Sequence, residues 1–447
     1  MFPADTIAAI ATAPGRAGIG VVRVSGSRAS VIAQAVTGRT RITPRRATLS
    51  VFLDAEGRAL DEGIALFFSA PNSYTGEDVL ELQGHGGPAV LRLLLQRCIE
   101  LGARAAQPGE FTRRAYVNDK LDLAQAEAVA DLIEASSAAA ARGAMRSLSG
   151  AFSKEIGQLR EALIALRAYV EAMLDFPEED VELLERGEVV SRLQAIRHQL
   201  AGIIQKAKQG NLLREGARAV LLGRPNVGKS SLMNVLAEEE VALVTDIPGT
   251  TRDALKREIN VGGIPLHLVD TAGLRESQDP IERLGVERSW HEVRHADVLI
   301  HVYDASLDAQ PHDLEIDRSL PPGLKKIRIF NKIDLTGASP HREMRGGELW
   351  VWASAKTAAG VDLVREALLE ALGWEASEEA PYMARERHLA ALGAAATALE
   401  RAGEVRSALE LFAEELRAAQ TALSEITGEF SADDLLGEIF SRFCIGK

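Results

Sequence analysis

Gly223-Arg224-Pro225-Asn226-Val227-Gly228-Lys229-Ser230 is a complete phosphate-binding loop. It is followed in order by Asp270-Thr271-Ala272-Gly273, Asn331-Lys332-Ile333-Asp334 and Ser354-Ala355-Lys356. Ahead of the loop, Ala219-Val220-Leu221-Leu222 is an apolar run of strand type. Behind it, Ser231-Leu232-Met233-Asn234-Val235-Leu236 reads as a helix. Strand, glycine loop and helix are the context this motif requires. Gly223 and Gly228 let the backbone turn its N–H groups onto phosphate oxygens. The helix N-terminus adds partial positive charge. Asn226, Val227, Gly228, Lys229, Ser230 and Ser231 are therefore candidate phosphate contacts. Lys229 suits the β- and γ-phosphates, and the Ser230 hydroxyl suits Mg²⁺.

The later signatures complete a guanine-nucleotide switch domain. Leu266-His267-Leu268-Val269 is a strand ending at Asp270. Asp270 is placed to hold Mg²⁺ through water and the Gly273 N–H to meet the γ-phosphate, with Thr271 and Ala272 between them. Ile327-Arg328-Ile329-Phe330 leads as a strand into Asn331 and Lys332. Asp334 can accept two hydrogen bonds from the guanine N1–H and 2-amino group. Adenine lacks that donor pair and leaves the carboxylate unpaired, so the site selects GTP. Ser354, Ala355 and Lys356 lie where a second loop covers the base.

Between these signatures runs Val244-Thr245-Asp246-Ile247-Pro248-Gly249-Thr250-Thr251-Arg252-Asp253. Thr251 is the candidate switch threonine, giving Mg²⁺ an oxygen when the γ-phosphate is present. After Gly273, Ras-type enzymes carry a water-orienting glutamine. This chain has Leu274, which neither donates nor accepts. Hydrolysis is then either very slow or assisted from elsewhere, and Glu276, Asp279 and Glu282 all follow. The residues alone do not choose among them.

At 447 residues the chain is long enough for two to four domains. A hydrophobic share of 46% with 26% charged residues fits a soluble globular protein. Two cysteines, Cys98 and Cys444, exclude a disulfide framework. The start lacks a basic segment followed by an apolar one, and no stretch reaches the length of a membrane span. A cytoplasmic location is expected. The net charge of −13 disfavours nonspecific nucleic-acid binding, which depends on neutralising phosphates. It leaves room for a local basic patch, or for RNA held mainly by a partner.

The expected architecture is multidomain α/β: an α+β N-terminal domain at 1–118, an all-α helical domain at 119–214 and 374–447, and an inserted Ras-like P-loop GTPase domain at 215–373. Gly20-Val21-Val22-Arg23-Val24 and Val79-Leu80-Glu81-Leu82 read as strands. Gly84-His85-Gly86-Gly87 reads as a turn into a helix from Ala89 to Leu101. Apolar residues at helical spacing, such as Leu159, Leu163, Leu166 and Val170, mark the helical domain. Its second part is expected as helices at 384–412 and 414–426. Loops at helix ends tolerate such an insertion.

The whole chain resembles the MnmE (TrmE) family of tRNA-modifying GTPases. The resemblance is carried by Asp5-Thr6-Ile7, Gly15-Arg16, Val21 to Gly26, the run from Asn72 to Leu82, Pro108-Gly109-Glu110-Phe111-Thr112, Asn118 to Glu127, Gly249 to Asp253 and the terminal Cys444-Ile445-Gly446-Lys447. It implies a potassium-activated GTPase that binds GTP, Mg²⁺ and K⁺. It also implies a folate-binding N-terminal domain that forms a homodimer. The implied partner is the FAD-dependent MnmG (GidA), which carries the FAD, in a heterotetramer acting on tRNA. Together they add a carboxymethylaminomethyl-type group to the wobble uridine, using a 5-formyl- or methylene-tetrahydrofolate unit.

The resemblance makes Glu282 the water-orienting catalytic residue, accounting for Leu274. It assigns K⁺ to Asn226 with Thr245, Ile247 and Thr250, a positive charge in place of an arginine finger. It assigns folate to Arg23, Glu81, Lys120 and Lys447. Carboxylates can accept from the amidine-like edge of a pterin, and lysines can meet glutamyl carboxylates. On the residues alone Arg23 and Glu81 read as ordinary strand positions. Cys444 reads either as a small residue near a frayed end or as a thiol beside the chemistry. The alternatives are a regulatory or ribosome-assembly GTPase switch sharing only the nucleotide domain, and a folate-dependent transferase with an inactive one. A generic switch has no need of the folate positions or the Cys-Ile-Gly-Lys end.

Overall fold

The computed structural model describes residues 5–175, 184–238, 256–270, 290–307, 317, 319–375, 381–405, 408–429, 433–441 and 443–446. The chain forms two compact units, residues 1–130 with 420–447, and residues 131–419.

In the first unit, strands β1 (Thr6–Ile10), β2 (Ala17–Ser25), β3 (Thr48–Leu53), β4 (Ala59–Phe68), β5 (Val79–Gly86) and β6 (Ala103–Ala105) form one sheet in the order β3-β4-β5-β2-β1-β6. Side chains alternate across it with period two. Val22, Val24, Leu80, Leu82 and Phe52 turn inward against Ile32 of helix α1 (Ala29–Thr37) and Leu91 and Leu94 of α2 (Pro88–Glu100). Val21, Arg23, Glu81 and Gln83 lie on the other face, only partly buried. α3 (Glu110–Val117) and α4 (Leu123–Glu134) follow.

The turn expected at Gly84–Gly87 is instead strand as far as Gly86, and α2 begins at Pro88. The glycines serve close approach. A Cβ at Gly84 would stand 2.2 Å from Asp61 Oδ2, and one at Gly86 2.5 Å from the Ala17 carbonyl.

In the second unit, α5 (Ala138–Leu148), α6 (Ala151–Asp175) and α7 (Leu184–Glu215) precede the strands β7 (Ala217–Leu222), β8 (Lys256–Val261), β9 (Ile264–Asp270), β10 (Val298–Asp304), β11 (Lys325–Asn331), β12 (His341–Arg345) and β13 (Glu348–Trp352). The sheet order is β12-β13-β11-β10-β7-β9-β8. The five inner strands are parallel, and β8 and β12 pair antiparallel at the edges. Central β10 is buried along its whole length, as a strand covered on both faces must be. α8 (Lys229–Glu238) and α10 (Val361–Leu372) cover one face through Leu232, Leu236, Val364 and Leu368. The short helix α9 (Ile333–Thr336) follows β11.

After the sheet comes α11 (Glu386–Glu404), packed along α7, then α12 (Leu409–Thr427) and α13 (Asp433–Ser441). The helix break expected at residue 413 falls earlier. The Val405 N–H bonds the Arg401 carbonyl, and the Ala408 N–H turns back onto the Val405 carbonyl at 2.8 Å. Phe412 therefore lies in the first turn of α12, where it is buried. Phe176 and Pro177, expected to break the helical run, lie outside the described residues.

Candidate nucleotide site and carboxyl-terminal site

Parallel strands deliver their C-terminal ends to one edge of the sheet, and in open α/β sheets ligands gather there. β7 ends at the phosphate-binding loop, β9 at Asp270, β10 at Asp304 and β11 at Asn331, while Ser354 follows β13. The loop makes its turns with Gly223 at φ 139°, Asn226 at φ 64° and Gly228 at φ 96°. Asn tolerates this left-handed region better than most side chains. Lys229 Nζ donates to the Gly223 carbonyl at 2.9 Å and the Arg224 carbonyl at 3.1 Å. Ser230 and Ser231 stand in the first turn of α8.

Asn331 ties three loops together while itself buried. Its Nδ2 donates to the Val227 carbonyl at 2.8 Å, and its Oδ1 accepts the Ala355 N–H at 2.8 Å. A side chain at Gly228 would strike Asn331 Nδ2 at 2.2 Å, so glycine is needed here for space as well as conformation. Ser354 Oγ donates to Asp334 Oδ1 at 2.6 Å and accepts the Thr357 N–H. Lys332 Nζ donates to Asp304 Oδ2 at 2.6 Å. Burial works against the Asp304 carboxylate, but Lys332 and Ser306 hold it below the usual carboxylate range. Lys356 is exposed. Asp304 was not among the candidates read from the sequence. An aspartate ending an apolar run carries no spacing that links it to Lys332.

Thr245, Ile247, Thr250, Thr251, Thr271, Ala272, Gly273, Leu274 and Glu282 lie outside the described residues, as does Lys447. Among the described residues no group of His, Cys, Asp and Glu could hold a metal ion.

In the first unit, Arg23 and Glu81 are paired across β2 and β5, with Nε and Nη2 both 2.9 Å from Oε1. Their side chains are each 16% exposed. Arg23 Nη1 also donates to the Gly446 carbonyl at 3.3 Å, and the guanidinium lies 5.6 Å from the centre of the Tyr74 ring. Residues 443–446 are seated against the first unit's amino-terminal segments. Gly109 N–H bonds the Cys444 carbonyl, Phe443 is buried, and a Cβ at Gly446 would stand 2.5 Å from the Ile10 carbonyl. Lys120 Nζ donates to the Pro71 carbonyl at 3.1 Å, on the same loop that carries Tyr74. The Cys444 thiol is exposed, whereas burial pushes the Cys98 thiol up to about 12 and leaves it inert.

An ion network centred on the buried Arg114 and Glu110, not foreseen from the sequence, lies in the same unit. Arg114, 1% exposed, donates to Asp5 Oδ1 at 2.7 Å, Glu110 Oε1 at 3.0 Å and Glu77 Oε1 at 3.0 Å. Glu77 also accepts from Ser25 Oγ, the neighbour of Val24 on β2. Burial opposes each charge, but the opposite charges prevail: Glu77, Glu110 and Asp5 raise the Arg114 pKa, and Arg104, which pairs with Asp5 and Glu110, joins Arg114 in lowering theirs. Glu77 and Glu110 sit inside motifs of the sequence, yet nothing there tells a buried carboxylate from an exposed one.

Two family profiles match the chain: "GTP-binding protein TrmE N-terminus" over residues 6–120, and "MnmE helical domain" over residues 123–444. The "tRNA modification GTPase MnmE" of Aromatoleum aromaticum is 59% identical over 443 residues, which are 99% of this chain and 98% of that one. The protein of the same name from Azoarcus sp. is 59% identical over 446 residues, covering 100% and 98%. That from Chromobacterium violaceum is 55% identical over 442 residues, covering 99% and 98%. Matches of this identity running through both units, together with the ordered loops of the sheet edge, mean that this chain belongs to the MnmE family of tRNA modification GTPases.

Proposed function

We propose that this GTPase acts with an FAD-dependent partner of the MnmG (GidA) type, placing a carboxymethylaminomethyl-type group on the wobble uridine of tRNA with a one-carbon unit from tetrahydrofolate. The observation that carries the folate part is the meeting of Arg23, Glu81 and the Gly446 carbonyl on one face of the six-stranded sheet. A half-buried carboxylate already oriented by a guanidinium suits recognition of a donor-rich pterin edge. Lys120 and Lys447 complete the proposed site by meeting the glutamyl end, with Lys447 outside the described residues.

In the nucleotide site, the backbone from Asn226 to Gly228 with Lys229 is to bind the phosphates, and Ser230, Thr251 and Asp270 the Mg²⁺. Asp334 is to read guanine, with Ser354 to Lys356 over the base. Mg²⁺, when bound, neutralises charge on the phosphate oxygens. Asn226, held at φ 64°, is the described part of the proposed K⁺ site. Its remaining groups are Thr245, Ile247 and Thr250. Glu282 is the proposed water-orienting residue.

Homodimerisation is supported by the outer face of the first sheet. Leu49, Ile64, Gln83 and Val21 form one cross-strand row there, and Leu49 is 63% exposed. Aliphatic residues aligned on an open sheet face are a surface awaiting a partner. Among the described residues no helix is long and apolar enough to cross a membrane.

The test is equilibrium binding of 5-formyl-tetrahydrofolate to the full chain and to its Arg23→Ala and Glu81→Ala variants. Each variant is expected to bind at least about tenfold more weakly, the scale of losing a hydrogen bond to a charged group. Parent-like affinity in both would remove the folate reading.

A further inference from the structure

We propose that Asp304 is a positioning residue of the guanine site, holding Lys332 in the conformation that receives the base. The proposal rests on the reading of Asn331 to Asp334 as that site. Three features of the sheet edge carry it.

The Asp304 side chain is fixed at both oxygens. Oδ1 accepts the Ser306 N–H at 3.0 Å and Ser306 Oγ at 2.6 Å, and Oδ2 accepts Lys332 Nζ at 2.6 Å. It is also fixed at the backbone. Asp304 is the last residue of β10, in register with Asn331 of β11, and the Ala305 N–H bonds the Asn331 carbonyl at 2.8 Å. The residue that orients Lys332 is thus anchored to the residue that ties the phosphate loop to Ala355.

Lys332 is directed from its own backbone as well. It stands at φ 68° and ψ 34° in the left-handed region, at the start of α9. A non-glycine residue there carries a cost that the surroundings must offset. Its chain leaves the strand and ends at a carboxylate whose side chain is only 8% exposed, while Lys332 itself keeps 30% exposure. The four-carbon stem is therefore held at both ends with one side open. A lysine ammonium is strongly hydrated and its chain has much rotamer freedom. Released from Asp304, that freedom would have to be lost on each binding event.

A group acting through Lys332 on the base, and not on the γ-phosphate, has a distinctive signature. Asp304→Asn should weaken GDP and GTP binding by the same factor. The loss is expected at about tenfold, from replacing a hydrogen bond between two charged groups by a neutral one. In steady-state hydrolysis it should fall on KM more than on kcat, because the contact is equal in ground and transition states.

The experiment is a double-variant cycle on the full chain, with a fluorescent GDP and a fluorescent non-hydrolysable GTP analogue as probes. Asp304→Asn, Lys332→Met and their combination are compared with the parent. Support requires that the combined variant bind like Lys332→Met alone, since Asp304 then has nothing left to hold. Losses that multiply in the combined variant would show an independent role and overturn the proposal, as would parent-like binding by Asp304→Asn beside weak binding by Lys332→Met. Parent-like binding by Lys332→Met would instead remove the underlying guanine-site reading. Asp304→Glu keeps the charge and reports even if the Asn protein does not fold. It is expected to remain within about threefold of the parent, a change of about 0.7 kcal/mol. A glutamate variant showing the full tenfold loss would overturn the ion-pair account.

Discussion

Asp334 has two carboxylate oxygens, and one already has a donor in Ser354 Oγ at 2.6 Å. Asp334→Asn keeps an acceptor for that hydroxyl, so the loop should keep its shape while the edge offered to the base changes. An amide donates where the carboxylate accepted, which suits a 2-oxo purine better than guanine. The variant is expected to lose GTP affinity and gain relative preference for xanthosine triphosphate, read by competition between the two nucleotides. Unchanged GTP preference would refute the assignment. Glu282→Ala is expected to bind GTP like the parent but to lose about 10²–10³-fold in kcat, the cost of removing one preorganised catalytic group. If Glu276→Ala were the damaging change instead, the assignment from the resemblance would fall. Asp334 could be proposed from the sequence because a base with a fixed donor pair demands a particular side chain at a particular spacing, and the structure adds its bond to Ser354. Asp304 and Arg114 could not be, because a carboxylate or guanidinium acquires its distant partners only when separate parts of the chain are brought together.

Strands and helices showed the same division. The strand before the phosphate loop and the helix after it were readable from apolar runs and glycine placement. The edge hairpin of β12 and β13 was not, since His341 and Trp352 are joined only by the register that stacks their rings 4.2 Å apart. Glycines inside elements were the least readable, because crowding around a missing Cβ leaves no trace in the local pattern. Helix α7 contains a direct comparison. A Cβ at Gly210 would stand 1.9 Å from the Tyr382 carbonyl oxygen, whereas one at Gly202 meets nothing within 4 Å. Gly210→Ala forces backbone apart, an overpacking cost of ~1–3 kcal/mol that should outweigh the gain of ~1 kcal/mol in helix propensity. Gly202→Ala collects the propensity gain alone. Thermal unfolding should therefore show a lowered midpoint for Gly210→Ala and an equal or raised one for Gly202→Ala. The reverse order would mean that α7 and residue 382 move apart at little cost.

At the scale of the whole molecule, the carboxyl-terminal segment folds with the amino-terminal strands, although 420 and more residues of chain separate Arg23 from Gly446. The terminal motif was visible in the sequence, but its place beside Arg23 and Glu81 was suggested only by the resemblance, because no local pattern states where such a segment comes to rest. The phosphate loop, Asn331 and Asp334 all belong to the other unit. Deleting Cys444 to Lys447 therefore removes no group assigned to phosphate, Mg²⁺ or base, and GTP hydrolysis by the truncated chain is expected to persist. The same deletion takes away the Gly446 carbonyl from Arg23, the Cys444 carbonyl from the Gly109 N–H, an exposed thiol and the terminal lysine. Arg23 would keep Glu81 but lose the contact on its open side. Modification of the wobble uridine should be abolished, as measured by nucleoside analysis of tRNA from a deletion strain carrying the truncated gene. Terminal residues are commonly dispensable, and normal levels of modified nucleoside in that strain would place this end among them. Loss of modification with hydrolysis retained would instead separate the two activities along the division between the units.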